Sequence, residues 1–304
     1  MSGCYAAFHK QLGDLVLLEP ALARLRDHHG APVRLFTRGG HAAVVELMPG
    51  IKFMTGLPIM PLADFYCFDP LSKSAFRSIA TPVLRRHLIV PERRELRWFH
   101  RFLFARPTAP ELGDTYVAEF FWMNTPVAST TAFRPPRLSR PPGDWSPGQL
   151  TPRSFLLVNA TSGWRRKLWT PAGWAQTIAS LAPDTRIILT SGAQDWQNLH
   201  CEEIASLTGG RAQIARTTLR QFLWTCANAS AVLTVDGAAS HLAAAFDTPV
   251  LTLFGPTNPS NWNRPAPRNV AIAHDQTGDR IDNLKNLDAG PVIEAARQLL
   301  APTR

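Results

Sequence analysis

Short apolar runs recur along the chain, each followed by a stretch whose apolar positions fall three and four residues apart. Runs of the first kind read as strands buried on both faces, and stretches of the second kind as amphipathic helices. In the first half, CYAAF, VRLFTR, IKFMT, DFYCF and HLIV are predicted strands; residues 15–29 and GGHAAVVELMPG are predicted helices. In the second half, SFLLVNA, RIILTSG, AQIA, AVLTVD and PVLTLFGP are predicted strands. They alternate with predicted helices in PAGWAQTIASLA, DWQNLHCEEIASLTG, TLRQFLWTCANA and ASHLAAAFD, and AGPVIEAARQLL closes the chain. Such alternation implies an α/β fold with parallel sheets and crossover helices, each half a Rossmann-like, doubly wound domain.

The pattern stops once. Residues 125–152, TPVASTTAFRPPRLSRPPGDWSPGQLTP, hold no sustained apolar period. Proline fixes φ and removes a backbone donor, so this stretch is expected to run as an extended linker. It separates an expected N-terminal domain over residues 1–140 from a C-terminal domain over residues 153–304. A length of 304 residues agrees with two domains.

Charge adds a partner class. Lys and Arg total 32 against 23 acids, a net +9, of which residues 1–150 carry +6. The first domain is therefore expected to meet the more anionic partner, a phosphorylated lipid or sugar or a nucleic acid. No RNP, KH, zinc-finger or helix-turn-helix signature is present, which ranks nucleic acid last. Four cysteines, Cys4, Cys67, Cys201 and Cys226, lack any CxxC spacing and read as buried thiols of a reducing compartment. Neither a leader pattern nor an apolar run of about 18 residues occurs, so the expected location is cytoplasmic. HExxH and GxSxG spacings are absent too; a catalytic metal and a serine hydrolase are not expected.

In doubly wound sheets, ligands sit beyond the carboxyl ends of the strands, where four loops of the second half converge. NATSGWRRKLWT offers the hydroxyls of Thr161 and Ser162 and the cations Arg165, Arg166 and Lys167, suited to phosphate or else a solvated basic surface. Asp236, Gly237 and Ala238 open a helix with small residues that let backbone N–H groups approach an anion; otherwise Asp236 is a plain cap. In the first half, Gly13-Asp14 places a carboxylate at the first strand-to-helix turn, as a general base or a cap. Arg38 precedes Gly39-Gly40, a second anion nest or a simple turn. Over residues 85–106, a helix would set Arg93, Arg97 and Arg101 in one stripe, opposite Leu96, Phe99, Phe102 and Leu103. That face suits a membrane surface or a phosphorylated head group, or its aromatic side packs into the core.

Three segments, HKQLGDLVLLEPALARLR, NATSGWRRKLWTPAGWAQTIASLA and VDGAASHLAAAFDTPVLTLFGPTNPSNW, together resemble glycosyltransferase family 9, the ADP-heptose:lipopolysaccharide heptosyltransferases. The resemblance runs from about residue 8 to the end and is thin over residues 54–152. It implies a GT-B fold, an acceptor domain followed by a donor domain, and inverting transfer of heptose to the lipopolysaccharide inner core. It further implies Asp14 as catalytic base, with Lys167 at the donor diphosphate. Thr161, Ser162, Asp236, Gly237, Ala238 and His241 fall in the donor loops. Gly237 stands where the family commonly has Ser or Thr. In TSGAQDWQ the family often places an acid that contacts the ribose; Asp195 is the nearest carboxylate, with Trp196 the alternative occupant of that slot, and both are carried over as donor-binding residues. Lys10, Arg38, Arg97 and Arg101 are the acceptor-side cations. No cofactor is implied beyond a nucleotide-sugar substrate; the partners are that donor, a phosphorylated glycolipid or other glycan acceptor, and a peripheral contact with the inner membrane. A protein or small-metabolite acceptor, a UDP-sugar transferase and an epimerase on the same frame stay open.

Overall fold

In the computed structural model, residues 4–56, 63–69, 85–90, 104, 106–108, 111–128, 131–148, 150–274 and 283–301 are described. The chain divides into two units, Met1–Ser139 and Arg140–Arg304.

The first unit holds β1 (Cys4–Ala7), β2 (Val33–Phe36), β3 (Ile51–Met54), β4 (Asp64–Cys67), β5 (Arg85–Ile89) and β6 (Arg106–Thr108) in the order β3-β2-β1-β4-β5-β6. Every pairing is parallel. Ala7, Phe36, Phe65, Cys67, Leu88, Val90 and Phe104 form one buried cluster of this sheet.

The helix expected over residues 15–29 is two helices, α1 (Leu12–Leu17) and α2 (Glu19–His29), separated at Leu18. Pro20 supplies the reason: lacking an N–H and clashing with the preceding turn, it belongs at a helix start rather than inside one. Since α1 begins at Leu12, Asp14 lies within its first turn instead of ahead of the helix. Gly30 ends α2 at φ 59°, the left-handed cap that favours glycine. GGHAAVVELMPG forms a 3-10 turn, Gly39–His41, leading into α3 (Ala42–Glu46). A helix of this unit escaped the sequence reading: α4 (Val117–Asn124) buries Phe120 and Phe121 and packs on α2. Arg24 of α2 lies 4.7 Å from the Trp122 ring centroid and donates to the carbonyls of Trp122 and Val127.

Among its described residues the proline-rich stretch forms no α-helix or strand, only a 3-10 turn at Gly143–Trp145, and it is packed. Glu19, 2% exposed, accepts from both Arg134 Nη atoms at 2.8 and 2.6 Å and from the Arg137 amide at 3.0 Å. The Ser139 amide donates to Leu47 O at 2.8 Å. From Arg140 onward the contacts belong to the second unit: Arg140 Nη1 donates to Ala227 O, and Arg220 stacks over the buried Trp145.

In the second unit, β7 (Leu156–Asn159), β8 (Ile187–Thr190), β9 (Ala212–Ile214), β10 (Ala231–Val235), β11 (Val250–Phe254) and β12 (Asn269–Ala273) run in the order β12-β11-β10-β7-β8-β9. All are parallel. The connections contain α5 (Pro171–Ala179), α6 (Asp195–Leu207), α7 (Leu219–Asn228), α8 (Ala238–Ala245) and α9 (Pro259–Trp262), and α10 (Ala289–Leu300) follows. Strands β7, β8, β10 and β11 are buried at every residue, as continuous apolar runs covered on both faces should be. Numbered within its own unit, this sheet repeats the 3-2-1-4-5-6 order of the first. The structure therefore has two parallel-sheet α/β domains of GT-B-like architecture.

Of the basic segment over residues 85–106, the ends are strands: Arg85 and Arg86 open β5 and Arg106 opens β6. The stripe of Arg93, Arg97 and Arg101 falls outside the described residues. Among the described residues no helix is long and apolar enough to cross a membrane. The four thiols are buried and unpaired, and burial raises the pKa of each, Cys4, Cys67 and Cys201 to about 12.

Candidate functional site

In the 3-2-1-4-5-6 order the crossover direction reverses between the first and fourth strands, which leaves a crevice at their carboxyl ends. In the second unit these strands are β7 and β10. The two are locked together by Thr234, whose hydroxyl donates to Asn159 O at 3.0 Å. Asn159 ties β7 to β8 through Nδ2, 3.1 Å from Thr190 Oγ1.

The loop after β7 is braced against the loop after β8. Gly192 N donates to Thr161 Oγ1 at 3.3 Å, and Gln197 Nε2 donates to Ser162 O at 2.8 Å. Gln197 Oε1 also accepts from Gln194 N at 3.0 Å, closing a capping box at the start of α6. Gly192 is required for this arrangement, because a Cβ there would stand 2.1 Å from Gln197 Oε1. Behind these loops lies a cavity of about 600 Å³, whose walls include Thr161, Ser162, Ser191, Asn198, Thr218 and Phe222. Ala238 and Ala239, the first residues of α8, also line it. The opening amides of a helix lack intrahelical partners and carry its positive end, so this wall favours an anion.

The loops after β7 and β10 that line the cavity also carry a buried charge cluster. Lys167 Nζ meets Asp236 Oδ2 at 2.5 Å, with the side chains 14% and 2% exposed. The Thr257 hydroxyl donates to the same oxygen at 2.6 Å. Asp236 thus gathers the loops after β7, β10 and β11 onto one carboxylate, and it holds an ammonium group at the rim. His241 Nε2 lies 3.9 Å from Asp236 Oδ1. Burial pushes the His241 pKa down to about 4, with Lys167 adding to the effect and Asp236 opposing it; at neutral pH the imidazole is uncharged. Gly237 adopts extended backbone, φ 172°, and a Cβ there would meet Ser162 Cβ at 3.3 Å. Its small size lets the loops after β7 and β10 approach each other.

On the first unit, the carboxyl rim gathers Lys10 and Asp14 after β1, Arg38 after β2 and Asp69 after β4. His9 and His41 join them. His41 Nδ1 lies 2.9 Å from Thr37 Oγ1, and its pKa falls to about 4 through burial, then Arg38, then His9. The His9 pKa is also lowered by burial, with Asp69 opposing and Arg38 adding. Gly39 and Gly40 form a 3-10 turn in which the His41 amide is spent on Arg38 O at 2.9 Å, so this segment is turn geometry.

The structure brings Thr161, Ser162, Lys167, Asp236, Gly237, Ala238 and His241 together, and it sets Lys10, Asp14 and Arg38 on the rim of the other sheet. Asp195 and Trp196 are the first two residues of α6 and lie outside the cavity walls; Asp195 is exposed and Trp196 packs under Arg165 at 5.2 Å. Sequence reasoning missed Thr257, although its loop was evident. It also missed the wall from Arg216 to Phe222, signalled by the capping box of Thr218 and Gln221 after a strand. Arg97 and Arg101 are outside the described residues.

Residues 131–287 match the family model described as glycosyltransferase family 9 (heptosyltransferase). Lipopolysaccharide heptosyltransferase 1 of Pseudomonas aeruginosa is 30% identical over 105 residues, 34% of this chain and 30% of that protein. The Salmonella typhimurium protein of the same name is 31% identical over 128 residues, 42% of this chain and 38% of that protein. The aligned regions thus span well under half the length of these two relatives. Across the whole chain, the structure titled "E. coli heptosyltransferase WaaC with ADP" aligns with a TM-score of 0.74 at 16% identity, covering 98% of this chain and 99% of that one. That likeness concerns the fold.

Proposed function

Because the chain belongs to glycosyltransferase family 9, we propose that it transfers heptose from ADP-heptose to a hydroxyl of a lipopolysaccharide inner-core acceptor, with inversion. The observation that carries this reading is the ammonium of Lys167, fixed by Asp236 next to a nucleoside-sized cavity and the start of α8.

In this reading the nucleoside enters the cavity and its diphosphate meets Lys167 and the opening amides of α8. An ammonium has three donors, and one of those of Lys167 is spent on Asp236. The acceptor oxygen attacks the anomeric carbon as the bond to the diphosphate oxygen breaks. ADP departs with the electron pair, and the acceptor proton passes to the carboxylate of Asp14. Charge developing on the leaving diphosphate is stabilised by groups already in place, the form of catalysis that costs least reorganisation. Attack opposite the departing group inverts the centre through an oxocarbenium-like transition state. Asp236 touches neither reacting atom and acts as a positioning residue for Lys167. No step calls for a metal, so turnover should be unchanged by a chelator. In this reading the basic first unit serves a phosphorylated glycolipid, and the enzyme works in the cytoplasm at the inner face of the inner membrane.

Incubation with ADP-heptose and a deacylated core acceptor, read as release of ADP, tests the proposal. The expected result is acceptor-dependent release that Asp14→Ala abolishes while ADP binding persists. Unchanged turnover in Asp14→Ala would remove the assigned base, and release from UDP-sugars alone would overturn the donor.

A further inference from the structure

The cavity that would take the nucleoside has an unusual charge balance. Among the described residues, its walls contain neither Asp nor Glu; the one ionised side chain is Arg216. The nearby acids are turned to other uses. Asp195, at the start of α6, is exposed and outside the walls, and Glu202 faces Arg216 at 3.7 Å on the outer surface. Arg216 is loosely held there, its side chain 77% exposed.

The neutral amides follow the same direction. Both polar ends of Gln197 are spent on the loops, Oε1 on Gln194 N and Nε2 on Ser162 O. The Ser191 hydroxyl donates to Asn198 Oδ1 at 2.7 Å, so of this cavity-lining side chain the engaged end is the acceptor, and Nδ2 is the end left to donate. A ribose diol is best gripped by a carboxylate, which accepts from its hydroxyls; an arginine beside the 2′ position suits a 2′-phosphate instead.

Resting on the nucleotide-sugar reading above, we infer that this cavity meets the ribose hydroxyls with the neutral amide of Asn198 and with no carboxylate, and therefore tolerates loss of the 2′-hydroxyl, while Arg216 in the wall suits a 2′-phosphate. A charge-assisted bond to a carboxylate would make loss of that hydroxyl cost about tenfold or more in affinity, whereas a neutral contact costs about fivefold or less. A 2′-phosphate, rich in acceptors, adds an attraction to Arg216.

The test is titration calorimetry of the full-length protein with ADP, 2′-deoxy-ADP and 2′-phospho-ADP. The expected result is 2′-deoxy-ADP within about fivefold of ADP and 2′-phospho-ADP at least as tight as ADP, an advantage that Arg216→Ala removes. Asn198→Asp, which places a carboxylate in the wall, should widen the preference for ADP over 2′-deoxy-ADP to about tenfold. A wild-type preference beyond about fivefold overturns the inference while leaving the nucleotide site intact. Absence of binding by all three nucleotides overturns the nucleotide-sugar reading itself.

Discussion

Breaking the Lys167–Asp236 pair one partner at a time, and then both together, separates a buried ion pair from two independent polar residues. The groups meet at 2.5 Å with side chains 14% and 2% exposed. At an effective dielectric of about 20, opposite charges at that distance attract by roughly 7 kcal/mol. Desolvation of the two ions opposes most of this, so the intact pair adds little relative to a neutral replacement. Removing one partner is different. Asp236→Asn leaves the ammonium facing an amide, and Lys167→Met leaves a carboxylate with only the Thr257 hydroxyl and a neutral imidazole beside it. Such orphaned buried charges cost about 3–5 kcal/mol, and the residual exposure of Lys167 argues for the lower end, about 3 kcal/mol for either substitution.

The double variant Lys167→Met/Asp236→Asn holds no orphaned charge and should cost about 1 kcal/mol or less in total, rather than the roughly 6 kcal/mol of the summed singles. The resulting coupling is about 5 kcal/mol. Urea unfolding followed by tryptophan fluorescence measures it, provided the m-value is common to all four proteins. Losses that add within about 0.5 kcal/mol would refute the buried pair. In the same set, Lys167→Met should lose ADP affinity, since it removes the cation assigned to the diphosphate.

Three further outcomes follow from the geometry. His41 and His241 both have folded pKa values pushed to about 4, below the unfolded value of about 6.5. The unfolded chain therefore binds more protons between those values: stability is complete above pH 6.5 or so and falls as the pH drops toward 4, by up to about 3 kcal/mol per histidine. His241→Gln should flatten that slope in a pH series of urea midpoints, and an unaltered slope would remove His241 from the effect. At Gly173 a Cβ would stand 2.5 Å from the Trp169 ring, whose Nε1 is tied to Leu287 O at 3.0 Å. Gly173→Ala should cost about 1–3 kcal/mol, read as a lower urea midpoint at constant m. Glu19→Gln weakens three bonds to Arg134 and Arg137, at about 1.5–3 kcal/mol for a charged partner, and should speed tryptic cleavage within residues 131–140; an unchanged cleavage rate would contradict the packed arrangement.

Elements buried on both faces were the readable ones, because β7, β8, β10 and β11 present continuous apolar runs with turn residues at their ends. What escaped has less distinctive chemistry. Strand β12, Asn269–Ala273, is half-buried along most of its length, and its NVAIA carries little alternation. Helix α4, VAEFFWMN, is apolar nearly all round, which blurs the 3.6-residue period. That Gln197 and Asn198, rather than Asp195 and Trp196, line the cavity was not legible for a similar reason. Each residue along a helix turns about 100°, so residues two apart point to opposite sides, and the pattern does not disclose which side faces a cavity. The donor-loop residues were legible for the opposite reason. Small residues and hydroxyls after apolar runs mark a backbone edge that something must approach, whichever helix face follows.

The shared strand order carries the argument one step further. Both sheets have a switch point, at β1 and β4 in one unit and at β7 and β10 in the other, so topology alone offers two equivalent crevices. The side chains there are not equivalent. After β7 and β10 come Thr161, Ser162, Gly237 and Ala238, residues small enough to admit a ligand to the backbone, with one cation held by a buried acid. After β1 and β4 come His9, Lys10, Asp14 and Asp69, ionisable groups with little glycine among them. A site of the first kind grips a ligand that brings its own negative charge, because its donors are backbone amides and an ammonium fixed by a buried acid. One of the second kind can accept a proton, because its carboxylates and imidazoles can. Under the proposed transfer, the two copies of one fold would take its two halves, one holding the leaving group and the other activating the nucleophile. Exchanging Asp14 for Asn should accordingly cost turnover without costing ADP affinity, and Lys167→Met should cost both. If Asp14→Asn instead weakened ADP binding as much as turnover, that division of labour would be wrong.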